Sequence, residues 1–227
     1  MVRLQGTANT RMETDKIKLS TLLISIAGIA AVELAAQMLI SRNLLAPLPG
    51  VGVARLAEII FLLILIYSRE KSLSIIGLSA ARIYRGFKRG ALWAVSFGVA
   101  AGVVLLVFHL AGFRVTALFR MPLPSENSAL ITFLLTGALI GPVAEEIFFR
   151  GVIYGFFRRW GIPAAIMLST LLFVLPHTHA SGTIIPITQL IGGILFAVAY
   201  EIEKNLLVPI TIHITGNLAI FALSLLF

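Results

Sequence analysis

The sequence predicts an all-α membrane protein, a polytopic bundle of about seven transmembrane helices. Two properties of the composition support this prediction: 59% of the 227 residues are hydrophobic and only 12% are charged. Soluble domains are closer to half apolar and a quarter charged. The third observation is that long apolar runs recur along the chain, and a helix needs roughly 20 mostly apolar residues to cross a bilayer.

Seven apolar segments are expected to form the spanning helices, after a polar N-terminal tail at residues 1–18. The segments cover residues 19–40, 53–68, 90–113, 129–157, 162–176, 184–200 and 206–227. Prolines and glycines in LLAPLPGVG separate the first two segments. Residues 69–89 carry six basic side chains among apolar ones, which suggests an interfacial amphipathic helix. We therefore expect one transmembrane domain over residues 19–227.

The net charge of +8 is concentrated in short loops between the apolar segments. If the N-terminus is cytoplasmic, the inner tail and loops hold 14 of the 18 Lys and Arg residues. This bias predicts a cytoplasmic N-terminus and an outer C-terminus, and we expect a multi-pass protein of a bacterial inner membrane. The same placement argues against nucleic-acid binding. The absence of cysteine excludes disulfides and thiolate metal sites.

Ionisable residues inside apolar segments are costly, so each one is a candidate functional residue. Glu33 and Glu58 are isolated, and we expect structural roles for them, such as an ion pair with Arg55. His109, near the outer end of its segment, is also expected to be structural.

The stretch GPVAEEIFFRG places three ionisable residues within six positions of an apolar segment. Successive residues of a helix diverge by about 100°, so Glu145 and Glu146 cannot point at the same spot. Arg150 follows Glu146 by four residues, the spacing at which helical side chains meet. Glu146 is therefore expected to pair with Arg150, which leaves Glu145 for chemistry. The alternative is one structural charge cluster.

Three more polar residues are expected at a similar depth on two other helices. His213 and Asn217 are four residues apart and share a helix face, and His177 ends the fifth segment. At about 1.5 Å per residue, Glu145, His177 and Asn217 lie roughly 18–22 Å from the inner loops. The catalytic core is accordingly expected over about residues 128–227.

This set of side chains suits hydrolysis of an amide bond inside the membrane. A carboxylate and an imidazole can hold a water molecule and take its proton. A second imidazole and a carboxamide can donate hydrogen bonds to the oxyanion that forms at an attacked carbonyl. A zinc site formed by Glu145, His177 and His213 is the alternative, although no HExxH motif is present.

The same residues resemble the type II CAAX prenyl endopeptidases and bacteriocin-processing proteins, a family of glutamate-dependent intramembrane proteases. The family's EExxxR, FxxxH and HxxxN motifs correspond to EEIFFR, FVLPH and HITGN, which begin at Glu145, Phe173 and His213. The similar region covers roughly residues 139–223. Pro176, directly before His177, departs from the family's pattern and is expected to distort the end of that segment.

The resemblance implies a role for each motif residue. Glu145 and His177 would activate water, and His213 and Asn217 would stabilise the oxyanion. Glu146 and Arg150 would hold the site in shape. The implied substrate is a membrane protein or peptide, with a C-terminal sorting segment or a prenylated tail as candidates, and no cofactor is implied.

Two other functions are compatible with the sequence. One is a non-catalytic immunity or partner-binding membrane protein that retains the motifs. The other is a transporter with Glu145, His177 and His213 as a proton relay. The transporter is disfavoured because the sequence has no inverted repeat, and because Asn217 would have no task in a relay.

Overall fold

The computed structural model describes residues 17–115, 121–181 and 186–226, and the secondary structure of these residues is helical throughout. Two short 3₁₀ helices, Leu73–Ile76 and Ala80–Arg82, precede the third long helix. The seven main helices of this described part are α1 Leu19–Ser41, α2 Pro47–Glu70, α3 Ile83–Leu110, α4 Asn127–Trp160, α5 Ile162–Ser181, α6 Ile187–Glu203 and α7 Leu207–Leu226.

The predicted helical membrane bundle is confirmed. Within the described ranges, five helical stretches are long and apolar enough to cross a membrane: α1, α2, the stretch that ends with α3, α4 and α7. A shorter apolar stretch, Ile162–Thr178, lies in α5, and α6 has 17 residues. The predicted segments thus correspond to helices in order, although the predicted start of the sixth lies outside the described residues.

The interfacial helix expected within residues 69–89 is not present. Lys71 ends α2 in the left-handed conformation, with a φ of 65°, and Gly77 ends the first 3₁₀ helix with a φ of 77°. Ile75 and Ile76 between them are buried, and a Cβ added at Gly151 of α4 would contact Ile76 at 3.3 Å. The link is therefore anchored in the core, and its last basic residues belong to the start of α3.

α4 has an irregular backbone around the motif that it carries. Wide π-helical turns at Leu135–Ile140 and Ile147–Tyr154 flank the regular turn Gly141–Glu146. π-Helical turns within α-helices are frequent at functional sites, because they redirect side chains. α4 packs closely against α2, since a Cβ added at Gly52 would lie 2.9 Å from the hydroxyl oxygen of Thr136.

The chain segments that were predicted to face the cytoplasm meet at one end of the bundle. Lys18 pairs with Glu70 at the end of α2, and Arg159 donates to the carbonyl of Ile17. Arg158 at the end of α4 pairs with Glu201 in the last turn of α6. We call this end, which includes the turns 71–82 and 204–206, the basic end of the bundle.

Candidate active site

A buried ion pair within α4 forms the base of the site. Arg150 Nη1 donates to Glu146 Oε1 at 2.9 Å, and both side chains are completely buried. Arg150 Nη2 donates to the carbonyl of Gly193 in α6 at 3.1 Å. The guanidinium carbon also lies 4.7 Å from the ring centre of Phe173 and 5.2 Å from that of Phe196. The positive charge is thus enclosed by helices α4, α5 and α6.

His213 of α7 is held by the same carboxylate. Its Nδ1 lies 2.8 Å from Glu146 Oε1, so the Nδ1 hydrogen donates to the carboxylate. Its ring stacks on Phe196 with the ring centres 4.6 Å apart, and the edge of Phe173 lies nearby. Because these contacts fix both the plane and the rotation of the imidazole, its other nitrogen has a defined direction.

That second nitrogen faces Glu145. His213 Nε2 and Glu145 Oε2 are 3.8 Å apart, which is too long for a direct hydrogen bond. A water molecule can contact two polar atoms at such a separation. The Glu145 side chain is 21% exposed, whereas that of Glu146 is fully buried, so the two neighbouring carboxylates have different environments. This is the divergence that their adjacent positions on a helix predict.

A second charge network adjoins Glu145 from α1 and α2. Arg55 of α2 pairs with Glu33 of α1 at 2.7 Å and with Glu58 at 2.6 Å, so the predicted partner of both glutamates is confirmed. Arg55 also interacts electrostatically with Glu145, as does Arg150. Glu145 therefore lies within the field of two guanidinium groups.

His177 lies on a helix that continues beyond the point where we expected it to be distorted. α5 runs through Pro176 to Ser181. His177 Nδ1 donates to the carbonyl of Phe173, one turn earlier, at 2.8 Å. The ring centres of His177 and Phe173 are 4.8 Å apart. Phe173 also contacts His213 and Arg150, so His177 shares this aromatic side chain with two of the other site residues.

Asn217 is anchored to the irregular part of α4. Its Nδ2 donates to the carbonyl of Gly137 at 2.8 Å, within the π-helical turn Leu135–Ile140. A carboxamide has two N–H groups, so this bond orients the amide and uses one of them. Asn217 and His213 are both on α7, one turn apart.

The structure does not group the zinc ligands that the sequence suggested as an alternative. Among the described residues, no three or more His, Cys, Asp or Glu side chains are placed to hold a metal ion. Glu145, His177 and His213 therefore do not fit a metal site in this geometry, and the chemistry below is derived from the protein groups.

Sequence reasoning missed three features of the site. It assigned Glu146 to Arg150 alone, whereas the same oxygen also binds His213. It gave no role to Phe196, which stacks on His213, because an apolar residue in an apolar helix carries no distinguishing signal. It placed Arg55 in a structural pair and did not predict that this pair adjoins Glu145.

The fold and the site together define a class: a polytopic helical membrane protein with a buried cluster of acidic, basic and imidazole groups. Residues 127–219 match the family described as type II CAAX prenyl endopeptidase Rce1-like. This stretch runs from the first residue of α4 into α7 and contains all six site residues predicted from the sequence. This match confirms the resemblance to the type II CAAX prenyl endopeptidases over these residues.

A similarity to one curated protein agrees with this family match. The chain is 26% identical over 145 residues to a protein of Bacillus subtilis (strain 168) named "Putative membrane peptidase YdiL". The aligned region covers 59% of this chain and 56% of the relative, so it spans little more than half of that protein's length. No solved structure matches the chain.

Proposed function

We propose that the protein is an intramembrane endopeptidase that hydrolyses a peptide bond near the C-terminal or membrane segment of a protein or peptide substrate. The observation that carries the proposal is the approach of Glu145 to His213, from α4 and α7, above the buried Glu146–Arg150 pair. The family-model match and the similarity to the protein named "Putative membrane peptidase YdiL" support a hydrolase.

In the proposed reaction, Glu145 acts as the general base. Its carboxylate takes one proton from a water molecule, and the water oxygen forms a bond to the carbonyl carbon of the substrate. The C–N bond then breaks, and the proton held by Glu145 passes to the departing amine. The partial exposure of Glu145 supports this role, because the reacting carboxylate must be reached by both water and substrate.

His213 and Asn217 are proposed to stabilise the oxyanion of the tetrahedral intermediate. His213 Nδ1 is bound to Glu146, so donation to an oxyanion must come from Nε2, which requires the imidazolium form. The second N–H of Asn217 would supply another hydrogen bond. His177 is proposed to assist Glu145 in orienting the water. Glu146 and Arg150 act as positioning residues behind His213.

The proposed setting is a bacterial inner membrane, with the N-terminus and the basic end of the bundle in the cytoplasm. The support for this orientation is that Lys18 and the described basic turns after α2, α4 and α6 lie at one end. The proposed substrate is a protein or peptide with a hydrophobic C-terminal segment, because the site residues lie on helices of a membrane bundle. A prenylated tail is the second candidate, in line with the family description.

The proposal is tested with purified full-length protein in detergent, wild type beside Glu145→Gln. Each is incubated with a panel of membrane-tail peptides, with and without prenylation and with and without a zinc chelator. Products are identified by mass spectrometry. We expect a defined cut that only the wild type makes and that the chelator does not affect. Cleavage by Glu145→Gln at the wild-type rate would contradict the proposed mechanism, and cleavage lost with the chelator would contradict metal-free catalysis.

A further inference from the structure

A cavity of about 200 Å³ lies at the basic end of the bundle, between the start of α3 and the turn that joins α6 to α7. Four basic side chains line it: Arg82, Arg85, Arg89 and Lys204. Glu203 is the one acidic residue in the lining, so three positive charges are in excess. Since one water molecule occupies about 30 Å³ in the liquid, the cavity has room for a phosphate group.

The three arginines are close together because Arg85 and Arg89 are in the first turns of α3 and Arg82 directly precedes that helix. Residues 82, 85 and 89 are separated by three and four positions, so they lie along one face at the start of α3. The first backbone N–H groups of α3 are at the same end, and a helix N-terminus favours negative charge. Side chains and backbone therefore create a positive potential in the same place.

Part of this positive charge is already neutralised by protein groups. Arg89 donates to Glu203 at 2.9 and 2.6 Å, and Lys204 pairs with Glu201 at 2.5 Å. One N–H group of Arg82 donates a hydrogen bond to the carbonyl of Lys204. Arg85 is exposed and makes no hydrogen bond or ion pair to any other described residue, and its interaction with Glu203 is electrostatic only. Arg85 and the remaining N–H groups of Arg82 are thus left to bind an anion.

Exposed aromatic side chains beside the cavity indicate the level at which it would lie in a membrane. Tyr84 and Phe87 lie on the same two turns of α3 as the arginines, and they are 79% and 49% exposed. Exposed aromatic side chains at a helix end are typical of the membrane–water interface. Beyond these turns α3 has no Asp, Glu, Lys or Arg as far as Leu110, and its polar residues there are Ser96 and His109. Arg82 and Arg85 are therefore expected at the level of lipid phosphates.

We infer that this cavity binds the phosphate headgroup of an anionic phospholipid, with Arg85 and Arg82 as the main contacts. Basic pockets between transmembrane helices on the cytoplasmic side are a recognised form of headgroup site. The lipid tails would lie along the exposed apolar face of α3, which includes Leu92, Val95 and Val99. The inference does not depend on the proposed peptidase activity.

A bound headgroup at this position would strengthen a contact that supports the active site. α3 lies against the start of α7 at Gly86, where an added Cβ would be 2.7 Å from the Asn205 amide and 2.9 Å from Leu207. The cavity joins the same two regions, since both Gly86 and Asn205 line it. α7 then continues to His213. Lipid binding would therefore hold α3 against the helix that carries His213.

The test uses full-length protein in neutral detergent, titrated with phosphatidylglycerol or phosphatidylcholine, and counts bound lipids by native mass spectrometry. Arg85→Gln is compared with Lys88→Gln, which removes one positive charge from the next turn of α3 outside the cavity. We expect Arg85→Gln to weaken phosphatidylglycerol binding about five-fold, and Arg85→Glu to weaken it further. Lys88→Gln and Lys88→Glu should each change it by less than two-fold.

Three results would overturn the inference. Equal losses in the Arg85 and Lys88 variants would indicate general attraction to a basic surface. Equal affinity of the wild type for phosphatidylglycerol and phosphatidylcholine would exclude recognition of the anionic headgroup. Displacement of the lipid by an equal concentration of inorganic phosphate would identify free phosphate, rather than a lipid, as the ligand.

Discussion

Glu146 accepts hydrogen bonds from Arg150 and His213 through the same oxygen, while its neighbour Glu145 faces His213 from the other side. One helical turn thus provides two carboxylates in different environments. The buried one is neutralised by a guanidinium and fixes an imidazole, and the partly exposed one remains accessible. A residue-level division of this kind allows a charged site to exist within an apolar bundle.

Breaking the buried pair should destabilise the protein. Glu146→Gln leaves the Arg150 charge uncompensated in a site without exposure, which costs about 3–5 kcal/mol in comparable buried pairs. We expect a lower unfolding temperature in detergent together with lost activity. The double variant Glu146→Gln with Arg150→Gln removes both charges and should recover part of the stability. A Glu146→Gln protein that unfolds at the wild-type temperature would show that the pair does not stabilise the fold.

Asn217 allows a test of the oxyanion proposal. Asn217→Ala removes the amide that is anchored on Gly137 and should lower kcat by about 10²–10³, with little change in KM. This pattern is expected because an oxyanion donor acts only in the transition state. Steady-state kinetics with a cleaved peptide measures both constants. A rise in KM at unchanged kcat would assign Asn217 to substrate binding instead.

At the scale of elements, the contact between α3 and α7 depends on glycines at two positions. A Cβ added at Gly90 would lie 2.6 Å from Thr211 Cβ, and one at Gly86 would lie 2.7 Å from the amide of Asn205. No other residue type fits without a shift of the helices. The helix that carries His213 and Asn217 is therefore positioned partly by the absence of side chains on its neighbour.

Alanine substitutions along α3 should separate this packing role from helix propensity. Gly90→Ala should destabilise the protein, because α3 and α7 must move apart. Gly98→Ala is the matched control, since nothing lies within 4 Å of its added Cβ. That control should be neutral or stabilising by about 0.5–1 kcal/mol. Thermal unfolding of both variants measures the difference, and equal midpoints would contradict the role of Gly90.

The helices and their local pairs could be predicted from sequence, because both depend on spacing along the chain. The apolar runs gave the seven helices in order, and the four-residue spacing gave the pair of Glu146 with Arg150. Contacts between helices could not be predicted in the same way. The bond from His213 to Glu146 joins residues 67 positions apart, and it depends on how α7 packs on α4.

The error over residues 69–89 has a related cause. Basic and apolar residues alternate there in a way that is typical of a surface helix. The positive φ of Gly77 and the burial of Ile76 against α4 instead produce two short turns and an early start of α3. Composition alone did not separate apolar residues that enter the core from apolar residues that face lipid.

At the scale of the whole molecule, the orientation in the membrane is open to a direct test. The chain has no cysteine, so single cysteines can be introduced at two exposed serines without background. Ser125 lies before α4, at the end of the bundle opposite to Ser74, which is in the basic end. The two variants are Ser125→Cys and Ser74→Cys. We expect an impermeant maleimide to label the Ser125 variant in intact cells and the Ser74 variant only after permeabilisation. The reverse pattern would invert the proposed topology.

The carboxylate of Glu145 is proposed to act as the general base, and the most direct test of this role compares two glutamates in the same bundle. Glu145→Gln and Glu33→Gln each convert a carboxylate of a membrane helix to an amide, and Glu33 makes an ion pair with Arg55 on α2. Initial cleavage rates are measured for both variants on the peptide that the wild type cuts. We predict no detectable cleavage by Glu145→Gln and cleavage within a few-fold of wild type by Glu33→Gln. Cleavage retained by Glu145→Gln in a folded protein would contradict the proposed role of Glu145.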